Sequence, residues 1–440
     1  MGNISTYSKK SWQWLNNGHP LTPFVIILLV ATPLSYAAGN IALMLLAACS
    51  LYYFFRHRFI QKDWSLLLPV SLFVLMALSI VWSIDVPRSL KALPREIFLI
   101  ALPVCFALAP PFTQSQKVFV FQRYAYGMSL IGVWYLAKAL FRYLSGEGAN
   151  VFFYHELVRE EVNAIHVSIY VAVAFFALVP KSAKTVLDWF FIFILGLLLI
   201  LLSSKNVIVV FGSLLVIYLL FRSGLSFRRR IAAITGLCLA VILPILLFPN
   251  IAYRFRQEFT SAFTSDTKNE QQPGVYNVSI REAWTQTHFD QHDYFPGTAF
   301  RVYQFRLFCE FLQEEHIFWT GFGLNASYAK IGEKAAEYNL FKGDELRKGY
   351  QGKNFHNQYV QNFAELGVFG FLLLIAMLIV SLRNAVLSKD FTQISFTVLM
   401  ISLFLTESFL WRQRGVMFFT AMYCLTNSGM AWISTKNDKL

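Results

Sequence analysis

The chain has 440 residues, of which 56% are hydrophobic and 14% are charged, and its formal net charge is +13. So many apolar and so few charged residues exclude an ordinary soluble globular protein and predict an all-α polytopic membrane protein. The excess positive charge gathers in short connections between apolar segments, so it gives no indication of a nucleic-acid partner.

Transmembrane helices are predicted wherever an apolar run approaches the roughly 20 residues that a helix needs to cross a bilayer. The sequence has about twelve such runs. They lie near residues 22–38, 41–55, 65–82, 96–112, 118–140, 164–180, 187–203, 206–221, 231–248, 366–382, 391–410 and 415–433. The first run is expected to be a retained span, because no convincing signal-peptide cleavage site follows it.

The connections between these runs indicate an orientation. With an even number of spans both termini lie on one side, and the connections on that side hold many Lys and Arg residues, which identifies it as the cytoplasm. The prediction is an N-terminal membrane region, 1–248, of about nine helices, then a large periplasmic loop, 249–364, and a C-terminal membrane region, 365–440, of about three helices. Connections as long as this loop are usually functional, so we expect active-site residues in it.

Two helices are predicted within the loop. Residues 300–312 have helical apolar spacing, with Arg301 at the start and a break at residues 321–323 (GFG). A second helix is expected to begin near Asn354, which can cap it, and to carry His356 in its first turn. A neutral imidazole at a membrane surface can take a proton from a hydroxyl, which favours a membrane enzyme over a channel or carrier.

Several motifs follow one another in a characteristic order. They are residues 79–85 (SIVWSID), 301–306 (RVYQFR), 320–323 (TGFG), 356–361 (HNQYVQ), 365–370 (ELGVFG), and Glu407 followed by 413–415 (QRG). In order and spacing they resemble the O-antigen ligase and polymerase family, over most of the chain. The resemblance implies a GT-C-like fold of about twelve transmembrane helices with one large, partly helical periplasmic loop.

The resemblance also implies a reaction. A glycan is transferred from polyprenyl (undecaprenyl) diphosphate to an acceptor hydroxyl at the periplasmic face of the bacterial inner membrane, with inversion and without a metal or other cofactor. In a ligase the acceptor is the lipid A core. A polymerase or a protein O-oligosaccharyltransferase using the same donor is the alternative, and a transporter of lipid-linked glycans is a remote one.

Three residues are the candidate catalytic groups. His356 is the expected general base, and Arg301 and Lys205 are the cations expected to stabilise the departing diphosphate. Lys205 lies in the turn 203–206 (SSKN), where family members usually have Arg, so it keeps the charge but lacks the bidentate fork. The alternative for His356 is a hydrogen-bonded, structural histidine at the start of a helix. The alternative for the two cations is packing at the membrane surface.

Five further residues are candidates for substrate binding. Asn357 either orients His356 or extends the helix cap, and Tyr359 belongs to the same motif. The remaining three are Arg281, which can approach the diphosphate or be solvated, Arg95, which can attract an anionic substrate or anchor the chain at the interface, and His166. His166, with His155, Glu156 and Glu161, is expected to contact acceptor sugars or to lie in a solvated loop.

One pair of histidines has a spacing typical of a metal site. His288 and His292 have the i, i+4 spacing of zinc ligands on a helix, but residues 294–297 (YFPG) would end such a helix at once. No third ligand is predictable, so no metal is expected.

Overall fold

The computed structural model describes residues 17–158, 162–247, 260, 264, 267–268, 275–344 and 349–429. In chain order the α-helices are α1 Thr22–Ala31, α2 Tyr36–His57, α3 Leu67–Leu78, α4 Val86–Ala92, α5 Phe98–Ala107, α6 Gln114–Leu144, α7 Tyr154–Leu157, α8 Ala164–Leu178, α9 Val186–Leu201, α10 Lys205–Phe221, α11 Phe227–Leu247, α12 Ile280–Thr285, α13 Gly297–Glu314, α14 Ser327–Glu337, α15 Gln358–Ser388, α16 Phe391–Phe404 and α17 Gln413–Asn427. Short 3-10 segments cover Trp64–Leu66, Ser79–Trp82, Leu93–Glu96, Ala149–Phe152 and Phe409–Trp411.

Each predicted apolar run contains an α-helix within the described residues. In the part of the chain that the structure describes, three helical stretches are long and apolar enough to cross a membrane: Tyr36–His57, Trp64–Trp82 and Gln358–Ser388. Five shorter apolar helices, α1, α8, α9, α10 and α16, accompany them. The predicted all-helical membrane character is confirmed, whereas the number of twelve spans stays a prediction.

Helices α8 and α17 form the centre of the bundle. In α8 every residue but Ile165 is buried, and in α17 every residue from Arg414 to Asn427 is buried. A helix buried on all sides must be surrounded by other parts of the protein rather than by lipid or water. The contacts of α8 with α6, α9 and α16, and of α17 with α5 and α15, supply that surrounding.

The loop before α15 has an apolar core of its own. Aromatic side chains dominate this second core, including Phe289, Phe295, Tyr303 and Phe311. It also takes in Phe355 and Val360, next to the start of α15, so the loop packs onto the head of that helix. Three two-residue strands lie beside it: β1 Thr267–Lys268 pairs antiparallel with β2 Tyr276–Asn277, which pairs parallel with β3 Asp293–Tyr294.

The glycines of the motifs 320–323 and 365–370 let the backbone of residues 318–323 run against α15. Phe322 N donates to Ala364 O at 2.8 Å, and Val368 N donates to Phe318 O at 2.8 Å. Gly367 has φ +65°, and a Cβ there would overlap the carbonyl of Trp319. Only glycine permits both the left-handed conformation and this close approach.

The 79–85 motif hydrogen-bonds to the same stretch, residues 318–323. Trp82 Nε1 donates to Thr320 O at 3.0 Å, and Ile84 N donates to Phe322 O at 3.0 Å. The 79–85 motif therefore holds residues 318–323 in place, and through them the N-terminal part of α15.

Candidate active site

His356 lies just before α15 and not in its first turn. Asn357 is the N-cap, with its Oδ1 accepting from Tyr359 N at 3.0 Å and Val360 N at 3.1 Å. The prediction that the helix begins near Asn354 is therefore wrong: Asn354 Oδ1 accepts from His356 N at 3.0 Å instead. His356 has φ +46°, which ends any helical path between the two asparagines.

The closest charged partner of the His356 ring is Glu407. His356 Nδ1 lies 3.6 Å from Glu407 Oε2, within ion-pair range and longer than a direct hydrogen bond. The His356 side chain is 29% exposed and that of Glu407 only 4%. His356 Nε2 makes no hydrogen bond to any residue that the structure describes.

Glu407 is a buried carboxylate beside His356, His166 and Arg301. Burial raises its pKa, but the neighbouring His356, His166 and Arg301 lower it by more, so the pKa falls from 4.5 to about 2. Glu407 lies in the connection 405–412, between α16 and α17, and not in either helix. It therefore presents a permanent negative charge to the His356 ring at neutral pH.

Arg301 reaches the same connection from the loop. The predicted loop helix is confirmed as α13, and Arg301 lies in its first turns. Its Nε donates to Thr406 O at 2.9 Å, and its Nη1 donates to Gly297 O at 3.0 Å. Its Nη2 makes no hydrogen bond within the described part of the chain. Arg301 and His356 thus converge on neighbouring residues, Thr406 and Glu407.

Lys205 begins α10 beside this connection. The following residue, Asn206, donates to Ser402 O at 2.9 Å and to Thr406 Oγ1 at 2.8 Å. Lys205 itself is half-buried. Two positions before it, Ser203 has φ +50°. The structure therefore brings the Lys205 turn to the residue that also binds Arg301.

His166 is buried, so the alternative of a solvated loop is wrong for this residue. It is 2% exposed near the start of α8, and its ring lies 4.4 Å from that of Phe409. The structure separates it from its sequence neighbours: His155 is exposed, Glu156 pairs with Arg142 at 3.0 Å, and Glu161 lies outside the described residues.

Three other predicted residues have surroundings of their own. Tyr359 donates its hydroxyl to Ile401 O at 2.9 Å, which ties α15 to α16. Arg95 pairs with Glu96 and lies with its guanidinium carbon 4.3 Å from the centre of the Trp411 ring. Arg281 is exposed on the short helix α12, and within the described residues it makes no hydrogen bond or ion pair with His356 or Glu407.

His288 and His292 do not share a helix face. Both are exposed, and they lie in the irregular stretch between α12 and β3. No group of three or more His, Cys, Asp or Glu side chains suited to a metal ion occurs in the described ranges.

Glu407 and Gln361 were not among the predicted site residues. Gln361 Oε1 accepts from Phe355 N at 3.2 Å and from Ser408 Oγ at 3.2 Å, so it connects the neighbours of His356 and Glu407. Its Nε2 donates to Glu365 Oε1 at 2.6 Å. Both residues belong to motifs that the sequence shows, but the motifs do not indicate which residues contact one another.

These observations define an all-helical membrane protein in which an imidazole, a buried carboxylate and an arginine lie together at the connection between α16 and α17, beside the turn that carries Lys205. The model of the O-antigen ligase family matches residues 190–375, a range that includes Lys205, Arg301 and His356. This match confirms the family resemblance predicted from the motifs. No curated protein matches the chain.

The family implies an O-antigen ligase or polymerase-type activity, and hence a glycosyltransferase-like enzyme of a bacterial membrane. In general terms, the family implies a lipid-linked glycan and a lipid A core as substrates. Glu407 lies beyond the matched range.

Proposed function

We propose that this protein is an O-antigen ligase, which transfers a glycan from polyprenyl diphosphate to a hydroxyl of the lipid A core. The observation that carries the proposal is the His356–Glu407 pair beside Arg301 and the Lys205 turn. The reaction is inverting, needs no metal, and takes place at the periplasmic face of the inner membrane.

His356 acts as the general base in this mechanism. The Glu407 carboxylate faces Nδ1, which favours the neutral tautomer with its proton on Nδ1 and its lone pair on Nε2. Nε2 takes the proton from the acceptor hydroxyl as the acceptor oxygen bonds to the anomeric carbon. Glu407 then stabilises the imidazolium that forms, as a carboxylate does for His in other acid–base pairs.

Arg301 and Lys205 receive the leaving group. As the bond between the anomeric carbon and the diphosphate oxygen breaks, negative charge grows on the diphosphate. Cations held in place beforehand stabilise that charge more in the transition state than in the ground state. Two hydrogen bonds to backbone carbonyls fix the Arg301 guanidinium, and Nη2 remains for a phosphate oxygen.

We propose substrate-related roles for the other predicted residues as well. Asn357 orients His356 by capping α15, and Tyr359 fixes that helix against α16. Arg95 and Arg281 serve anionic parts of the substrates, and His166 adds a polar group behind the Glu407 connection.

Reconstitution of the purified chain tests this function. A polyprenyl-diphosphate glycan and a lipid A core are supplied in vesicles, with and without EDTA, and transfer is followed by the size of the acceptor. Glycan-bearing lipid A core in both conditions supports the proposal. Transfer only to a second lipid-linked glycan identifies a polymerase, and movement of the donor across the bilayer without transfer identifies a transporter.

A gene deletion separates ligase from polymerase in cells. Loss of a ligase leaves bare core and polymer stranded on the lipid carrier. Loss of a polymerase leaves core that bears a single repeat unit. The ligase proposal predicts the first pattern.

A further inference from the structure

A cavity of about 470 Å³ lies between the start of α2, the 3-10 segment Leu93–Glu96 and the start of α17. Its polar lining comes from Asn40, Lys91, Arg95 and Gln413, and its apolar lining includes Met44 and Ile97. Cavities of this size hold a small ligand or a lipid headgroup. None of the lining residues belongs to the His356–Glu407 pair or its cations.

The polar wall is suited to an anion. Lys91 is exposed, and its side chain makes no ion pair or hydrogen bond to any residue that the structure describes. Arg95 is held in place by Glu96, with Nε 3.1 Å from Oε1, while 26% of its side chain stays exposed. Two basic side chains, one preorganised and one unpaired, match the oxygens of a phosphate group.

An amide pair completes this wall. Gln413 Nε2 donates to Asn40 Oδ1 at 2.6 Å. The bond orients the Asn40 side chain. The amide hydrogens of Asn40 remain for another acceptor. The cavity thus combines N–H donors with positive charge.

The cavity also has exposed apolar lining residues. Met44 is 61% exposed and Ile97 is 42% exposed. Met44 lies on α2, one of the stretches long and apolar enough to cross a membrane, and the exposed Ile41 and Leu45 continue that surface. A ligand here meets basic and apolar groups together, which favours a lipid carrying phosphate over free phosphate.

The cavity also adjoins the connection that carries Glu407. The Arg95 guanidinium carbon lies 4.3 Å from the centre of the Trp411 ring, and Trp411 is four positions after Glu407. Since the proposed mechanism assigns the donor diphosphate to Arg301 and Lys205, a second phosphate-bearing lipid is best explained as the acceptor.

We propose that this cavity binds a phosphate group of the acceptor lipid, with Lys91 and Arg95 as its cationic contacts and the exposed face of α2 against its acyl chains. The inference rests on the proposed function, since lipid A is its acceptor. It assigns a docking site for the lipid end of the acceptor, apart from the place where its sugar hydroxyl reacts.

Binding of lipid A to the full chain tests the inference without turnover. The His356→Ala protein is placed in phosphatidylcholine nanodiscs, and affinity is measured for lipid A, for dephosphorylated lipid A, for phosphatidylglycerol and for inorganic phosphate. Lys91→Gln is expected to weaken lipid A binding about tenfold, the usual worth of one charge-assisted contact. Lys91→Arg is expected to restore it.

Arg88→Gln is the matched control, because Arg88 lies on the same short helix, is exposed and does not line the cavity. Its affinity should equal that of the parent protein, and dephosphorylated lipid A should bind weakly to every variant. Unchanged lipid A affinity in Lys91→Gln overturns the inference. Equal, Lys91-dependent binding of phosphatidylglycerol or inorganic phosphate overturns it too, since the site then does not select the acceptor.

The active enzyme separates this inference from the proposed function. In the protein with His356 intact, Lys91→Gln should raise the KM for lipid A core about tenfold and leave kcat and the KM for the donor unchanged. Transfer to lipid A core with an unchanged KM contradicts the cavity inference alone. The absence of any transfer to lipid A core, in every variant, contradicts the proposed function itself.

Discussion

His356 Nδ1 lies 3.6 Å from Glu407 Oε2, across 51 positions of sequence. The pair joins the segment just before α15 to the connection between α16 and α17. Because Glu407 is almost wholly buried and His356 is partly exposed, the ring has one side held by a charge and another side open to substrate.

Glu407→Gln should reduce glycan transfer strongly. The amide keeps the size of the side chain but removes the charge that fixes the His356 tautomer and stabilises its imidazolium. We expect a loss of kcat of roughly 10²-fold or more, with little change in the KM of the donor. Steady-state kinetics on the reconstituted protein measure both constants.

Glu315→Gln is the control for that change, since Glu315 pairs with Lys330 at 2.9 Å on the loop. It should transfer glycan at the parental rate. A Glu407→Gln protein as active as this control would remove Glu407 from the mechanism.

The Glu407 charge should also make stability depend on pH. Its pKa is lowered from 4.5 to about 2 in the fold, so the stability that the charge contributes is fully present above pH 4.5 and is lost as pH falls towards 2. The difference in Tm between the parent protein and Glu407→Gln should therefore be constant from pH 7 to 5 and change between pH 4.5 and 2. A difference that stays constant down to pH 2 would argue against the depressed pKa.

Lys205 should tolerate arginine and not alanine. If its charge stabilises the diphosphate, Lys205→Arg keeps transfer, and Lys205→Ala loses roughly 10²–10³-fold in kcat. Arg222→Ala removes a cation at the opposite end of α10 and should leave the rate unchanged. Equal rates in all the Lys205 variants would return this residue to a packing role at the membrane surface.

Gly367→Ala should destabilise the fold. Alanine would need φ +65° and would place its Cβ on the carbonyl of Trp319, at a cost of about 3 kcal/mol or more. Gly212→Ala is the matched change within a helix, because nothing lies within 4 Å of its added Cβ. Thermal unfolding in detergent should show a clear fall in Tm for the first and none for the second.

Much of the helical framework could be predicted from the sequence, because long apolar runs and helical spacing reflect burial directly. The loop helix at Arg301 is an example, and its observed bounds, Gly297–Glu314, extend the predicted range by a few residues. The sequence alone does not distinguish a start of α15 at Asn354 from one at Asn357, because the two asparagines are equally good capping residues. The hydrogen bonds that Asn357 accepts from Tyr359 N and Val360 N, together with the positive φ of His356, show that Asn357 is the cap.

The composition of the site was harder to predict. Spacing along the chain gives no information on which distant residues meet, so the motif around Glu407 does not indicate that this carboxylate pairs with His356. His166 shows the same limit: its neighbours suggested a solvated loop, but packing against Phe409 buries it. Such contacts depend on how helices pack, and a single sequence does not contain that information in a local form.

The most direct test of the central claim is the transfer rate of His356→Ala in the reconstituted system, with His316→Ala as the control for an exposed loop histidine. Our account predicts a loss of roughly 10²–10⁴-fold for His356→Ala, with donor binding retained, and a parental rate for the control. Transfer by His356→Ala at the parental rate would contradict it.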